Sequence, residues 1–235
     1  MMTIITRIIL SLLILSPLYA NKHDETYHRA NKLLKSGQYQ DALDDYQTLN
    51  FQGPVTYYNT AIALYHLQQY GKALAMWEKA EKHASPGLVK KIVYNKHKAY
   101  KKLEQDALED WRSFFVIMQS YFSLFLLQIV FLLVWFCWWF AEYTRIDFIK
   151  KYRVLLLLIS LGCGLLLGLK YWVQECRYAF IVTPQAQLFA GPNIEFDVVA
   201  ELKEGERVKV MQQEDAWYKI KYHKAHGWIQ GANIE

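Results

Sequence analysis

Cysteine is scarce, with three in 235 residues, and the positions exclude more than the number does. Cys137 and Cys163 stand inside long apolar runs and Cys176 just beyond the second, so neither a disulfide framework nor a thiolate metal site can be built from them. The signatures of common active sites are missing too: no His-Glu-x-x-His, no Gly-x-Ser-x-Gly, no glycine-rich phosphate loop and no Cys-x-x-Cys-His haem motif. His223 and His226 are three residues apart but flank a turn between expected strands, where imidazoles do not converge as they would on a helix. The other histidines are spread over expected helix surfaces. A non-enzymatic protein with no cofactor and no metal is therefore expected. The formal charge of +5 includes no basic run interleaved with stacking aromatics, which sets nucleic acid aside as a partner.

What the chain does have is apolar length. Phe114 to Phe140 runs 27 residues without a charge, and Val154 to Leu169 another 16, extended to Val173 if Lys170 snorkels. Runs of this length match a hydrocarbon layer of ~30 Å, and they lack the polar face of a helix in a water-soluble hairpin. Trp135, Trp138, Trp139, Tyr143 and Tyr152 gather at one end of the pair, and Trp111, Tyr171 and Trp172 at the other, as interfacial rings do. A two-helix transmembrane hairpin is expected, with spans at 114–140 and 154–173, a 141–153 loop and the lipid bilayer as a partner. Ser160, Gly164 and Gly168 form a small-residue stripe for helix packing, against the first span or against a helix of another protein.

Residues 1–20 carry Arg7, the apolar run Ile8 to Leu15, then Ser16, Pro17 and Ala20, the layout of a secretory signal peptide ending before Asn21. An uncleaved anchor is the alternative, and either one exports the segment that begins at Asn21. With Arg145, Lys150, Lys151 and Arg153 crowding the connecting loop, the positive-inside rule makes that loop cytoplasmic. The expected placement is a multi-pass protein of the bacterial inner membrane with both soluble domains periplasmic.

The first soluble domain, residues 21–110, is helical and repeats. Ala30, Tyr39, Ala42 and Tyr46 return 31 residues later as Ala61, Tyr70, Ala73 and Trp77, with Gly37 answered by Gln68; Tyr58-Asn59 returns as Tyr94-Asn95. Pro54 and Pro86 are placed where each second helix stops. The pattern resembles the tetratricopeptide repeat, in two and a half copies, and a short array of this kind leaves its last face for a juxtamembrane helix or a partner to cover. In such repeats the first helices line a binding groove. Here these supply Tyr27 and Asn31, then Tyr58, Asn59, Ile62 and Tyr65, then Lys91, Asn95 and Lys98. Asn31, Asn59 and Lys91 match the carboxylate clamp of chaperone-binding repeats by position, whereas Tyr27 and Asn95 replace its basic residues. The groove reading is protein binding; the plainer alternative is that these amides bridge helices.

Residues 178–235 change to short alternating runs, Tyr178–Val182, Gln187–Phe189, Val198–Leu202, Arg207–Met211, Trp217–Lys221 and Gly227–Ile229, with turns at Gly191-Pro192-Asn193 and Glu204-Gly205. This pattern predicts a small all-β barrel. The order Leu202 to Gly205, Val208-Lys209-Val210, Trp217-Tyr218-Lys219-Ile220, Gly227-Trp228-Ile229 resembles the bacterial SH3-like domain. Trp217 and Trp228 are its candidate surface residues; Gln230 and Asn233 stand where a proline-binding SH3 groove has proline and tyrosine, which disfavours polyproline ligands.

The fold class expected is thus a multi-domain membrane protein: an all-α tetratricopeptide-like array, a two-helix transmembrane hairpin and a small all-β SH3-like barrel. That order of parts, with Tyr58-Asn59, Tyr94-Asn95 and the Gly227-Trp228-Ile229 ending, resembles the BatE family of bacterial aerotolerance operons. The resemblance implies a non-enzymatic inner-membrane scaffold working with von Willebrand A-domain membrane proteins and a MoxR-type ATPase in envelope or oxidative-stress maintenance. The alternative is a cell-wall-binding sensor or anchor that grips peptidoglycan through the SH3-like domain.

Overall fold

A computed structural model describes residues 25–49, 52–105, 117–118, 120–121, 124–143, 152–175 and 177–235; within the two long central helices, side chains are described over 126–140 and 154–168. The expected signal peptide 1–20 and most of the expected 141–153 loop lie outside the described residues.

The amino-terminal part is a stack of helices: α1 over 25–35, α2 (Tyr39–Gln47), α3 (Pro54–His66), α4 (Tyr70–Glu81) and α5 (Pro86–Lys102). Pro54 and Pro86 occupy the first turns of α3 and α5, where a missing N–H costs nothing. They open the next helix, while the preceding second helices end earlier, at Gln47 and Glu81. Three helices finish alike. Gly37, Gln68 and Glu104 adopt φ of 81°, 62° and 54°, and the next residue in each case sends its N–H back five residues: Gln38 to Leu33, Gln69 to Leu64, Gln105 to Tyr100. This is the left-handed helix stop in which orphan carbonyls are satisfied by the chain that leaves the helix. The short link through Gln68 presses α3 against α4, and α4 packs in turn on α5.

Small residues make the close packing possible. Ala61, Ala63, Ala73, Ala75 and Ala80 are buried with Trp77, Ile92 and Ala99 in one core, and Ala30, Ala42, Tyr46 and Leu49 form a second around α1 and α2. Lys96 is 1% exposed yet fully partnered, its Nζ lying 2.7 Å from Glu78 Oε2 and 2.5 Å from Glu81 Oε2. Burial pulls its pKa down, but the two carboxylates outweigh this and hold the ammonium above its ordinary value.

Helices α6 (Leu124–Tyr143) and α7 (Arg153–Glu175) pack on each other. Ser160 and Leu127 are buried in the pair, a Cβ added at Gly164 would meet Phe131 Cε2 at 3.6 Å, and one at Gly168 would meet nothing. Outward, Leu126, Leu132, Leu133, Trp135, Phe136, Val154 and Leu161 are exposed. The expectation of a transmembrane hairpin, 114–140 and 154–173, is nevertheless corrected: among the described residues no helix is long and apolar enough to cross a membrane. With that goes the multi-pass inner-membrane placement with two periplasmic domains, which rested on the hairpin.

The carboxyl-terminal part is a six-stranded antiparallel sheet in the order β1-β4-β5-β6-β2-β3. Its strands are β1 (Tyr178–Phe180), β2 (Gln185–Phe189), β3 (Val198–Lys203), β4 (Arg207–Glu214), β5 (Trp217–Tyr222) and β6 (Ala225–Gln230). Inward residues alternate, as period-two strands require, and Ile181, Leu188, Leu202, Val208, Ile220 and Ile229 close the core. Gly205, at φ 84°, turns β3 into β4. Gly227 is needed for space: a Cβ there would stand 2.6 Å from Leu188 Cγ and from Phe189 O.

The barrel is docked on the helices. Phe180 of β1 is 1% exposed and buried in the core of the helical stack. Gly71, at the start of α4, donates its N–H to Glu204 Oε1 at 2.7 Å, and its missing Cβ leaves room for Ile181 O, which would be 2.3 Å away. Gln105 Nε2 reaches Glu204 O at 2.7 Å and Lys79 Nζ reaches Glu235 Oε1 at 3.1 Å. Arg207 stacks 3.5 Å above the Tyr178 ring and bonds Glu78, joining the barrel to the Lys96 cluster.

Candidate functional site

The two surfaces singled out by sequence fare differently. Along the first helices, Asn31 Oδ1 accepts from Tyr46 Oη at 2.7 Å and from Asn59 Nδ2 at 2.8 Å, so one amide ties α1 to both α2 and α3. Burial pushes the Tyr46 phenol up to about 12, which keeps it protonated and donating. One step along, Asn95 Nδ2 donates to Tyr58 Oη at 3.0 Å, tying α5 to α3. Tyr27 lies against the Tyr46 ring at 6.5 Å, and Tyr65 sits edge-on to Tyr70 and 6.1 Å from Trp77. Ile62 packs on the main core. The amides and rings of this line thus hold helices together. Lys91 and Lys98 are exposed, with Lys98 Nζ lying 4.5 Å over the Tyr94 ring.

Between Tyr27 and Asn31 on α1, Arg29 grips Asp45 of α2 through two bonds of 2.7 and 2.5 Å. Those hydrogen bonds hold the Asp45 carboxyl below its ordinary pKa despite its burial.

On the barrel, Trp228 is buried, with Lys219 Nζ 5.7 Å from its ring centre. Trp217 is half-buried and meets Phe189 edge-on at 5.7 Å. Both rings are chiefly packed. Beside them lies a cleft of about 330 Å³, lined by Gln185, Ala186, Gln187, Phe189, Ile194, Glu201, Gln230 and Asn233. Of these, only Gln230 and Asn233 stand out in the sequence, as amides in place of a proline and a tyrosine. The signal for the rest is the alternation in β2 and β3, which sets Gln187 opposite Glu201 on the outer face. A second cleft, of about 370 Å³, lies between α2, α3 and α4 beside Glu235. Among the described residues no group of three or more His, Cys, Asp and Glu side chains is placed to hold a metal ion.

A short antiparallel barrel with a long β2–β3 hairpin, two tight hairpins and a single 3-10 turn (Gly231–Asn233) before the end is the architecture of an SH3-like binding module. Residues 184–235 match the family "Bacterial SH3 domain". The chain is also similar to a putative N-acetylmuramoyl-L-alanine amidase, YrvJ, of Bacillus subtilis (strain 168), with 30% identity over 51 residues, 22% of this chain and 10% of that protein. The chain therefore spans about a tenth of the length of that relative. The family match leaves out β1, the strand that buries Phe180 in the helices, and all of the helices.

Proposed function

We infer that this is a non-enzymatic binding protein whose SH3-like domain attaches it to cell-wall material, with the helical stack as a rigid support. The observation that carries this reading is the bacterial SH3 domain at 184–235, in a chain similar over 51 residues to a putative N-acetylmuramoyl-L-alanine amidase. The way the barrel is mounted supports it: β1 and the start of β4 face the helices through Phe180 and Arg207, while β2, β3 and the 230–233 turn face away and stay open. In co-sedimentation, the purified full chain is expected to pellet with insoluble peptidoglycan and to release no soluble fragments from it. Failure to pellet contradicts wall binding, and release of fragments contradicts the non-enzymatic reading.

A second reading is that of a scaffold, and exposed Tyr94, 62% accessible beside Lys91 and Lys98, favours it. An aromatic ring flanked by cations is the kind of anchor that protein interfaces use. The resemblance to the BatE family and to tetratricopeptide repeats belongs here, with von Willebrand A-domain proteins and a MoxR-type ATPase as the partners it suggests. Pull-down with wild type and with Tyr94→Ala tests it: loss of partner in the variant supports the scaffold, and equal recovery contradicts a role for this surface.

A further inference from the structure

The docked arrangement leaves a concave, polar surface on the barrel, and its chemistry is selective. Glu201 is the single charged group among the residues that line the cleft; Lys203, two residues on along β3 and opposite Gln185 in the ladder, is not one of them. Gln187 lies directly opposite Glu201 in the β2–β3 ladder, and both are exposed. Gln185, Gln187 and Gln230 make no side-chain hydrogen bond to another described residue, whereas Asn233 Oδ1 accepts one from Thr183 Oγ1 at 3.4 Å. Ala186 and Phe189, 2% and 8% exposed, form the floor, and Ile194, 64% exposed, stands at the lip. The lip continues as Phe196, Val198 and Val199, all about half exposed, the last two on β3, which ends the sheet and pairs with β2.

We propose that this cleft is a binding site for a short extended peptide carrying a primary amine, of the kind that forms the stem peptides of cell wall. The inference rests on the wall-binding reading and adds the ligand and the residues. Side-chain amides both donate and accept, so three uncommitted ones can pair the successive N–H and C=O groups of an extended backbone. An ionised carboxylate only accepts, and its strongest partner is a cation that donates hydrogen bonds, an alkyl ammonium above all. The apolar floor takes the methylene or methyl groups between them. A volume of about 330 Å³ is at the lower end for small-ligand sites and suits two or three residues. A carboxylate-rich ligand finds no cation in this lining, and a purely neutral one leaves Glu201 unused.

The test uses the full chain and two synthetic peptides, N-acetyl-L-Ala-D-isoglutaminyl-L-Lys-amide with its ε-amine free or acetylated, titrated by calorimetry. The free-amine peptide is expected to bind at least tenfold more tightly than the acetylated one. Glu201→Gln should remove that difference, and Gln187→Ala with Gln230→Ala should weaken both peptides. Equal binding of the two peptides by the wild type, no binding of either, or an unchanged preference in Glu201→Gln overturns the proposal. Co-sedimentation separates this site from wall binding as such. If the wild type pellets with peptidoglycan but shows no amine preference, wall binding stands and this site falls; if it neither pellets nor binds peptide, both fall.

Discussion

At the scale of single residues, the left-handed helix stops carry the clearest consequence. Gln68 and Glu104 hold a conformation that costs an L-residue roughly 1 to 2 kcal/mol and glycine nothing. Gln68→Gly should therefore raise stability by about 0.5 to 1 kcal/mol, part of the strain relief being offset by the freer unfolded chain; thermal melting of the full chain reads this as a higher Tm. Gln68 is legible in the sequence as the residue replacing Gly37, but the equivalence of Glu104 is not, because its repeat breaks off just beyond it. Lys96 is different: the spacing of Val89, Ile92, Val93, Ala99 and Tyr100 puts it on the buried face of α5, but its carboxylate partners Glu78 and Glu81 come from α4 and have no signal in α5 itself. Lys96→Met should cost about 3 kcal/mol or more, because it strips the cation from two partly buried carboxylates. Asp45 sets a pH dependence. Its pKa is lowered in the folded state, so its pairing with Arg29 stabilises the fold above the ordinary value of 3.8 and is lost as pH falls through the folded value. Asp45→Asn should flatten the fall in Tm below about pH 4 relative to wild type.

At the scale of elements, hydrophobic periodicity and turn chemistry make the strands and the amino-terminal helices readable, with strand ends displaced by up to a few residues. The strand expected at Gln187–Phe189 begins at Gln185, and β4 runs on to Glu214, because exposed glutamines give no burial signal. Ala73 is readable as a helix contact and is fully buried. Ala73→Leu should overpack α3 against α4 and lower stability by about 1 to 3 kcal/mol. The repeat pattern presents the groove line as a surface for ligands, yet Asn31, Asn59, Tyr58 and Asn95 bond one helix to the next. Removing Tyr58 and Asn59 together should then lower the melting temperature as well as alter any surface, an effect that a purely ligand-facing line would not show. The long apolar helices show where composition misleads: uninterrupted apolar sequence predicts a span, but among the described residues no helix is long and apolar enough to cross a membrane.

At the scale of the whole molecule, the feature without any sequence signal is the docking of barrel on helices. Gly71 reads as an ordinary weak point in a helix, and Phe180 as one more strand residue; only together do they show that β1 completes the helical core. This contact explains how a short helical array covers a face that would otherwise need another repeat, and it fixes which side of the barrel remains for binding. Binding at that side is tested most directly by hydrogen–deuterium exchange on the full chain with and without the free-amine stem tripeptide. New protection is predicted in 185–201 and 230–233, with β1, α4 and the inner line of α1, α3 and α5 unchanged. Protection along α1, α3 and α5 with none in the barrel would contradict it.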